Sequence, residues 1–346
     1  MAITSGVAPH NGWVEINGSR FQVVSGLCSF NSLNSINEIN AKIPLTPYFN
    51  QIVGLTGYNT VKCKAIVLTH GSEWTLNPQG FFVKSITFNL TNTWIQIYCH
   101  DPFTAMESQR TTDTWTNKKG HEIAQDLVGR LGLSFSSTPS KVMAGRKIGK
   151  EFVKLTDNVT YLHAIHKLAE MDGKRVYADE NGTVNYKEPG TGSTYSVMWR
   201  KPTPQQPMVS DCLNLSVIHN LDASGTQSAK IPSWKPDKKQ TNTGTYTIPG
   251  TGETRQLYSD PDNLEMDQAQ QKALADAERD ASHEWEISAT VVGDPSVKVD
   301  GKVQLTGTGS ALDQSYPIDS VVHNFGYNGY TTTINAKTKG QGREGG

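Results

Sequence analysis

The sequence predicts a mainly β, α+β chain in which two β-rich ends flank a small α/β middle domain. Three observations carry that expectation. Short runs of alternating apolar and polar residues, separated by turn residues, fill 13–100 and return from 285 onward. Two segments with a helical apolar period, 121–131 and 159–172, fall close together between those ends. Apolar residues make up only 36% of the 346, while glycine alone supplies 31 positions. That balance favours turns and sheet, or burial against partners, over a large private core.

Residues 1–101 form the first expected domain. Trp13-Val14-Glu15-Ile16 alternates, and Asn17-Gly18 suits the two positive-φ positions of a tight turn, so a hairpin returns through Phe21-Gln22-Val23-Val24. Thr60–Leu68, Phe81–Leu90 and Thr93–Cys99 are three more strands. Several short strands at this spacing make a sandwich or a small barrel. At His100-Asp101-Pro102 the pattern changes.

The middle domain is expected over 102–190. A polar connector containing Trp115-Thr116-Asn117 leads to Ile123, Ala124, Leu127, Val128 and Leu131, which share one face of a helix over about 121–131. Gly132 followed by Leu133 gives that helix a Schellman stop. Each large aliphatic side chain on the face gains roughly 1.5–3 kcal/mol on burial, so the helix must dock. A matching stripe of Leu162, Ile165, Leu168 and Ala169 lies on a second helix, over about 159–172. Asp157 or Asn158 is placed to cap its start, and Gly173 to take the left-handed position at its end. The period then changes to two for a hairpin over 175–187, with Asn181-Gly182 as its tight turn. Between the helices, Lys141, Arg146, Lys147, Lys150 and Lys154 accompany a single acid, Glu151. A solvated basic loop explains this 141–154 run more simply than a contact for an acidic partner or a phosphate.

The last domain is expected over 191–338. Glycine, serine and proline accumulate from Thr191 to Pro207 and mark a linker or crossover of extended character. Leu213–Ile218 is a strand, and 222–262 reads as a long polar loop. A helix over about 264–283 carries Ala269, Ala273, Ala277 and Ala281 at four-residue steps, small enough for close approach to a sheet or neighbour. Strands follow at 285–291, 302–305, 316–322 and 330–336, and 339–346 reads as a flexible tail. No internal repeat is evident residue by residue.

Function is narrowed mainly by exclusion. A net charge of −1 gives no field for nucleic acid, and no sequence-specific nucleic-acid partner is expected. The start of the chain has neither a basic stretch nor an apolar run and reads as no secretory signal. No window approaches 18 apolar residues, so no membrane insertion is expected. Cys28, Cys63, Cys99 and Cys212 are widely spaced, which fits reduced thiols in a chain that folds in the cytosol. Nucleotide-loop, zinc-protease and nucleophile-elbow motifs do not occur. His163 and His166 stand three apart on a helix but have no partner ligands at a readable spacing. Glu170, Asp172, Asp179 and Glu180 flank a helix end and a turn, where acids are ordinarily solvated. Gly307-Thr308-Gly309 reads as a turn, and Trp74, Trp94, Trp115, Trp199, Trp234 and Trp285 as packing residues or interface anchors. No catalytic residue, cofactor site or metal site is assigned, and no enzyme is expected.

Several segments nevertheless occur in an informative order. They are Trp13–Gly18, Tyr98–Pro102, Trp115-Thr116-Asn117 with the helix His121–Leu133, and the helix and hairpin Tyr161–Tyr186. The alanine-rich helix, Gly293-Asp294-Pro295, Val299-Asp300-Gly301, Gly307, and His323 with Gly329–Ile334 complete the series. This succession resembles the late control protein D family, the central baseplate hub proteins of contractile phage tails and related injection machines. The resemblance implies two antiparallel, tube-type β-barrels at the ends of the chain. It further implies a homotrimer whose barrels form a pseudo-six-fold ring, with the tail tube protein on one side and the central spike protein on the other. The same resemblance extends the expected partners to tape-measure and baseplate wedge proteins, and the implied location is the virion tail baseplate, assembled in the bacterial host cytoplasm. The 222–262 stretch departs from the pattern, and because no spike or lysozyme segment follows the second barrel, the spike is expected on a separate polypeptide. A hub of a type VI-like or extracellular contractile injection system is the alternative. A tail-associated peptidoglycan hydrolase, dependent on Glu170 or Glu180, is a second.

Overall fold

The computed structural model describes residues 12–33, 35–57, 60–113, 115–145, 159–235, 238–259, 261 and 263–341. It is mainly β, as the sequence predicts. The first region holds β1 (Gly12–Ile16), β2 (Ser19–Gln22), β3 (Ser25–Asn31), β4 (Glu38–Pro44), the short helix α1 (Leu45–Ile52), β5 (Lys62–Thr69), β6 (Ser72–Thr75), β7 (Phe81–Asn89) and β8 (Trp94–His100). Asn17 at φ 48° and Gly18 at φ 82° form the turn expected between β1 and β2. Every second residue of β1, β4 and β8 is buried, the signature of strands with one face on a core. Pairing runs β1–β5–β7–β8–β4–β3. Val23 and Val24 carry β2 directly into β3, and β2 pairs with β1. Following partners therefore leads back to the starting strand.

The middle region contains a 3-10 turn at Pro102–Thr104, then α2 (Ala105–Ser108), β9 (Arg110–Thr111), β10 (Lys118–Lys119), α3 (Gly120–Gly129), β11 (Phe135–Ser137), β12 (Met143–Gly145), β13 (Val159–Thr160), α4 (Tyr161–Asp172), β14 (Arg175–Ala178) and β15 (Val184–Lys187). The α3 stop is a Schellman motif: Leu133 N–H donates to Val128 O and Gly132 N–H to Gly129 O. The apolar faces of α3 and α4 meet in one core with Val176, Val184 and Tyr186. Two expectations are corrected here. Thr160 caps α4, its hydroxyl accepting from His163 N–H, while Asp157 and Asn158 lie outside the described residues. The β14–β15 turn has only Gly182 at positive φ, because the Asp179 carboxylate accepts from both Asn181 N–H and Thr183 N–H and shapes the loop itself. Of the basic run, Arg146, Lys147, Lys150, Glu151 and Lys154 also lie outside the described residues.

The last region comprises β16 (Thr194–Arg200), β17 (Val209–Ser210), β18 (Cys212–His219), α5 (Leu221–Ser224), β19 (Thr226–Lys235), β20 (Gln240–Ile248), β21 (Thr254–Tyr258), α6 (Met266–Ala281), β22 (Trp285–Val292), β23 (Lys302–Thr306), β24 (Ser315–Gly326) and β25 (Gly329–Thr338). The expected long loop at 222–262 is largely a three-stranded sheet, ordered β20–β19–β21. Its strands escaped the hydrophobic pattern because their inward positions include Gln227, Ser233, Lys235, Asn242 and Gly244 among few aliphatics. The alanine stripe of α6 is buried on this sheet. A Cβ at Gly244 would stand 2.1 Å from Ala269 O, so the approach is as close as those small residues permit. The expected linker at 191–207 contains β16, which pairs in parallel with β23. The expected tail begins tied down: Gly340 N–H donates to Glu284, and Gln341 to Asp313 O.

Pairing here runs β16–β23–β24–β25–β22–β18. β17 pairs with β16 and adjoins β18 in sequence through Asp211, which exchanges two hydrogen bonds with the Met198 backbone. Counting β2 with β3 and β17 with β18, the main strands of each region in chain order are first to sixth. Both regions then show the spatial order 1-2-3-6-5-4, a structural repeat invisible residue by residue. The two regions are also continuous: β24 pairs with β3 inside one 15-stranded sheet, and their buried side chains form a single cluster.

Candidate assembly surfaces

The helix and hairpin of the middle region sit on the seam between the two repeats. Along β14, Val176 and Ala178 enter the middle core, whereas Tyr177 belongs to the core of the large sheet. Arg175 reaches both repeats. Its Nη1 donates to Ser32 Oγ at 2.7 Å and to Ile318 O at 2.8 Å, and Nη2 lies 2.6 Å from Asp319 Oδ1. Asn37 Nδ2 donates to Ala178 O, and the buried Asp101 accepts from Asn37 N–H and Phe103 N–H. Burial pushes the Asp101 carboxyl up to about 8, against the pull of those donors. Lys298 and Glu180 add an ion pair at 2.9 Å.

The four acids weighed from the sequence do not converge. Glu170 is exposed, Asp172 accepts from Tyr186 OH at 2.6 Å, Asp179 shapes its turn, and Glu180 meets Lys298. Asp172, Asp179 and Glu180 each serve a different local contact and Glu170 faces solvent, unlike a pair flanking a scissile bond. His163 is exposed while His166 turns toward Phe103, and burial with the nearby His163 holds His166 down at about 4. Among the described residues no group of three or more His, Cys, Asp or Glu is placed to hold a metal. Gly307 and Gly309 take positive φ in a turn organised by the Asp313 carboxylate. Cys28, Cys63 and Cys99 are buried, and burial pushes the Cys28 and Cys99 thiols up; Cys212 is partly exposed. Trp115 donates to Asp126, Trp94 lies under Lys42, and Trp285 stacks on His219 at 3.8 Å. Trp74 and Trp234 are exposed.

What the sequence reading missed is an open sheet edge. Among the described residues β18 pairs with β22 alone. It carries no Asp, Glu, Lys or Arg, and Leu213 and Ile218 are 63% and 57% exposed. Met198, Met208, Leu221 and Val292, on the segments beside it, are exposed as well. An eight-residue, uncharged, proline-free edge is a template for another strand. The charge-free run CLNLSVIH was the available signal.

No protein-family model matches the sequence, and no curated protein does either. Solved structures do match. A tail protein from Neisseria meningitidis superposes with a TM-score of 0.69 at 9% identity, over 95% of this chain and 96% of its own. The 43 kDa tail protein of prophage MuSo2 from Shewanella oneidensis gives 0.66 at 11% identity, over 94% and 98%. The chain has the fold of prophage tail proteins. A component of the E. coli type VI secretion system shares it at a TM-score of 0.59 and 7% identity, over 95% of this chain and 77% of its own. That component is itself structurally similar to the T4 bacteriophage tail proteins gp27 and gp5. Coverage this high leaves too few residues unmatched for the whole of 222–262 to lie outside the shared fold.

Proposed function

We propose that the chain is the structural hub of a contractile-tail baseplate, located in the virion tail and assembled in the bacterial host cytoplasm. Three copies form a ring that joins the six-fold tail tube to the three-fold central spike. The observation that carries this reading is the repeated strand order of the two terminal regions. Three chains with two like units each supply six similar units, which is what a trimer needs to meet a six-fold tube. The match to tail proteins over nearly the whole chain supports the same role. The β18 edge is where the next copy docks, because a second chain would bury Leu213 and Ile218 and satisfy the open backbone. Tape-measure and wedge proteins are further contacts on this reading.

Mass in solution tests the proposal. Light scattering on the purified chain should give three chain masses, and Ile218→Asp should return monomer without lowering the unfolding temperature. Monomer alone at high concentration, with and without spike protein, would refute the hub. The likeness to a type VI secretion component favours a second setting for the same hub. Mass spectrometry of purified virions separates the two, since only the phage setting places the chain in the particle.

A further inference from the structure

The sheet β20–β19–β21 has two faces of different chemistry. On one, Ala229, Ile231 and Ile248 are buried against the alanines of α6. Strand alternation directs the intervening residues away from α6. There β20 presents Thr241, Thr243, Thr245 and Thr247 in a row, with Trp234 on β19 and Tyr258 on β21. Register fixes their layout: Trp234 stands opposite Thr241, and Lys230 stands between Thr245 and Tyr258. The two rings are therefore ~13 Å apart along the strands, at ~3.3 Å per residue. They are 47% and 68% exposed, so core packing does not account for them.

Lys230 is the one charged side chain that these three strands direct outward. A single cation is far short of what a nucleic acid requires. Apart from Pro232, the space between the rings is filled by threonine hydroxyls and Lys230, which disfavours the apolar centre typical of a protein interface. Threonine hydroxyls both donate and accept, so they match sugar hydroxyls of either sense. Exposed aromatic faces cover the C–H side of a sugar ring. At the β21 margin lies a cavity of about 290 Å³, lined by Arg255, Tyr258, Lys272, Asp276, Arg279 and Asp280. Each of its three cations has a carboxylate partner, Lys272 and Arg279 at 3.0 and 2.8 Å from Asp276 and Arg255 at 3.5 Å from Asp280, so the cleft offers donors and acceptors with only one net positive charge.

We propose that this outward face, with the adjoining cleft, binds a neutral polysaccharide. The test uses the full-length protein on an array of neutral bacterial and plant glycans, with alginate and heparin as acidic controls. Affinity electrophoresis on the best glycan then compares variants. At least one neutral glycan should be retained, and Trp234→Ala and Tyr258→Ala should each weaken binding at least tenfold while leaving the unfolding temperature unchanged. Trp74→Ala, at an exposed tryptophan on β6, should leave binding intact. Retention of acidic glycans only, binding that survives both substitutions, or no glycan bound would each overturn the proposal. Photocrosslinking from Thr245 to a tail protein without any glycan binding would instead assign the face to a protein partner.

Discussion

Replacing Arg175 with alanine tests whether the β14 hairpin locks the two repeats together. The guanidinium makes two hydrogen bonds and one ion pair across the seam, and the side chains of Arg175 and Asp319 are only 12% and 13% exposed. A hydrogen bond involving a charged group contributes about 1.5–3 kcal/mol, and stranding the partner of a buried pair costs about 3–5 kcal/mol. Asp319 keeps Lys337 Nζ at 3.5 Å, which softens the loss. The Nη2–Oδ1 contact is also poorly angled for a hydrogen bond and acts as an ion pair alone. The lower end applies, about 3 kcal/mol. Urea unfolding followed by circular dichroism would compare Arg175→Ala, Asp319→Asn and the double variant. A coupling of about 1–3 kcal/mol is expected for residues in direct contact. A loss below about 1 kcal/mol for Arg175→Ala, or strict additivity, would show that apolar packing at Tyr177 holds the seam and that Arg175 is incidental.

Gly244→Ala places a Cβ against Ala269 O and should cost about 1–3 kcal/mol by calorimetry, as overpacking does. Gly129→Ala, where a Cβ meets nothing within 4 Å on α3, should instead stabilise by about 0.5–1 kcal/mol. Thr160→Ala removes the α4 cap and should cost about 1 kcal/mol in the same assay. Two buried groups set opposite pH limbs. Burial holds His323 down at about 3, so its contribution is complete above its ordinary 6.5 and is lost as pH falls toward 3. Asp101, raised to about 8, contributes fully below its ordinary 3.8 and loses that contribution as pH rises through 8. Unfolding temperatures between pH 4 and 9 should flatten on the acid side for His323→Gln and on the alkaline side for Asp101→Asn.

How much was legible follows from which elements carry their own signals. α3 and α4 announced themselves because aliphatic side chains recur at helical spacing and Gly132 and Gly173 end them. β1 and β2 were legible through Asn17-Gly18, a turn that needs two left-handed residues. The sheet at 226–258 was not, since threonine, glycine and glutamine fill positions where a strand ordinarily shows valine or isoleucine. The candidate surfaces were hidden for another reason. An open edge at β18 depends on which strands fail to pair with it, and Arg175 matters through Ser32 and Asp319, residues 143 and 144 positions away. Neither property is local in sequence.

The repeat is imperfect in a way that bears on the proposed symmetry match. β6 extends only the first unit, the parallel β16–β23 pair occurs only in the second, and the β20–β19–β21 sheet with α6 is inserted only in the second, between its second and third strands. Units that must meet a six-fold tube have to present alike surfaces, so those contacts are confined to what both share, the six strands in the order 1-2-3-6-5-4. A three-fold partner sees each chain once and can read what differs. On the proposed trimer, the insertion and β6 would belong among the three-fold contacts or face outward, and the seam bridged by Arg175 would fix one kind of surface relative to the other. This division makes a substitution on β6, such as Trp74→Ala, neutral for tube binding, whereas loosening the seam through Arg175→Ala disturbs both.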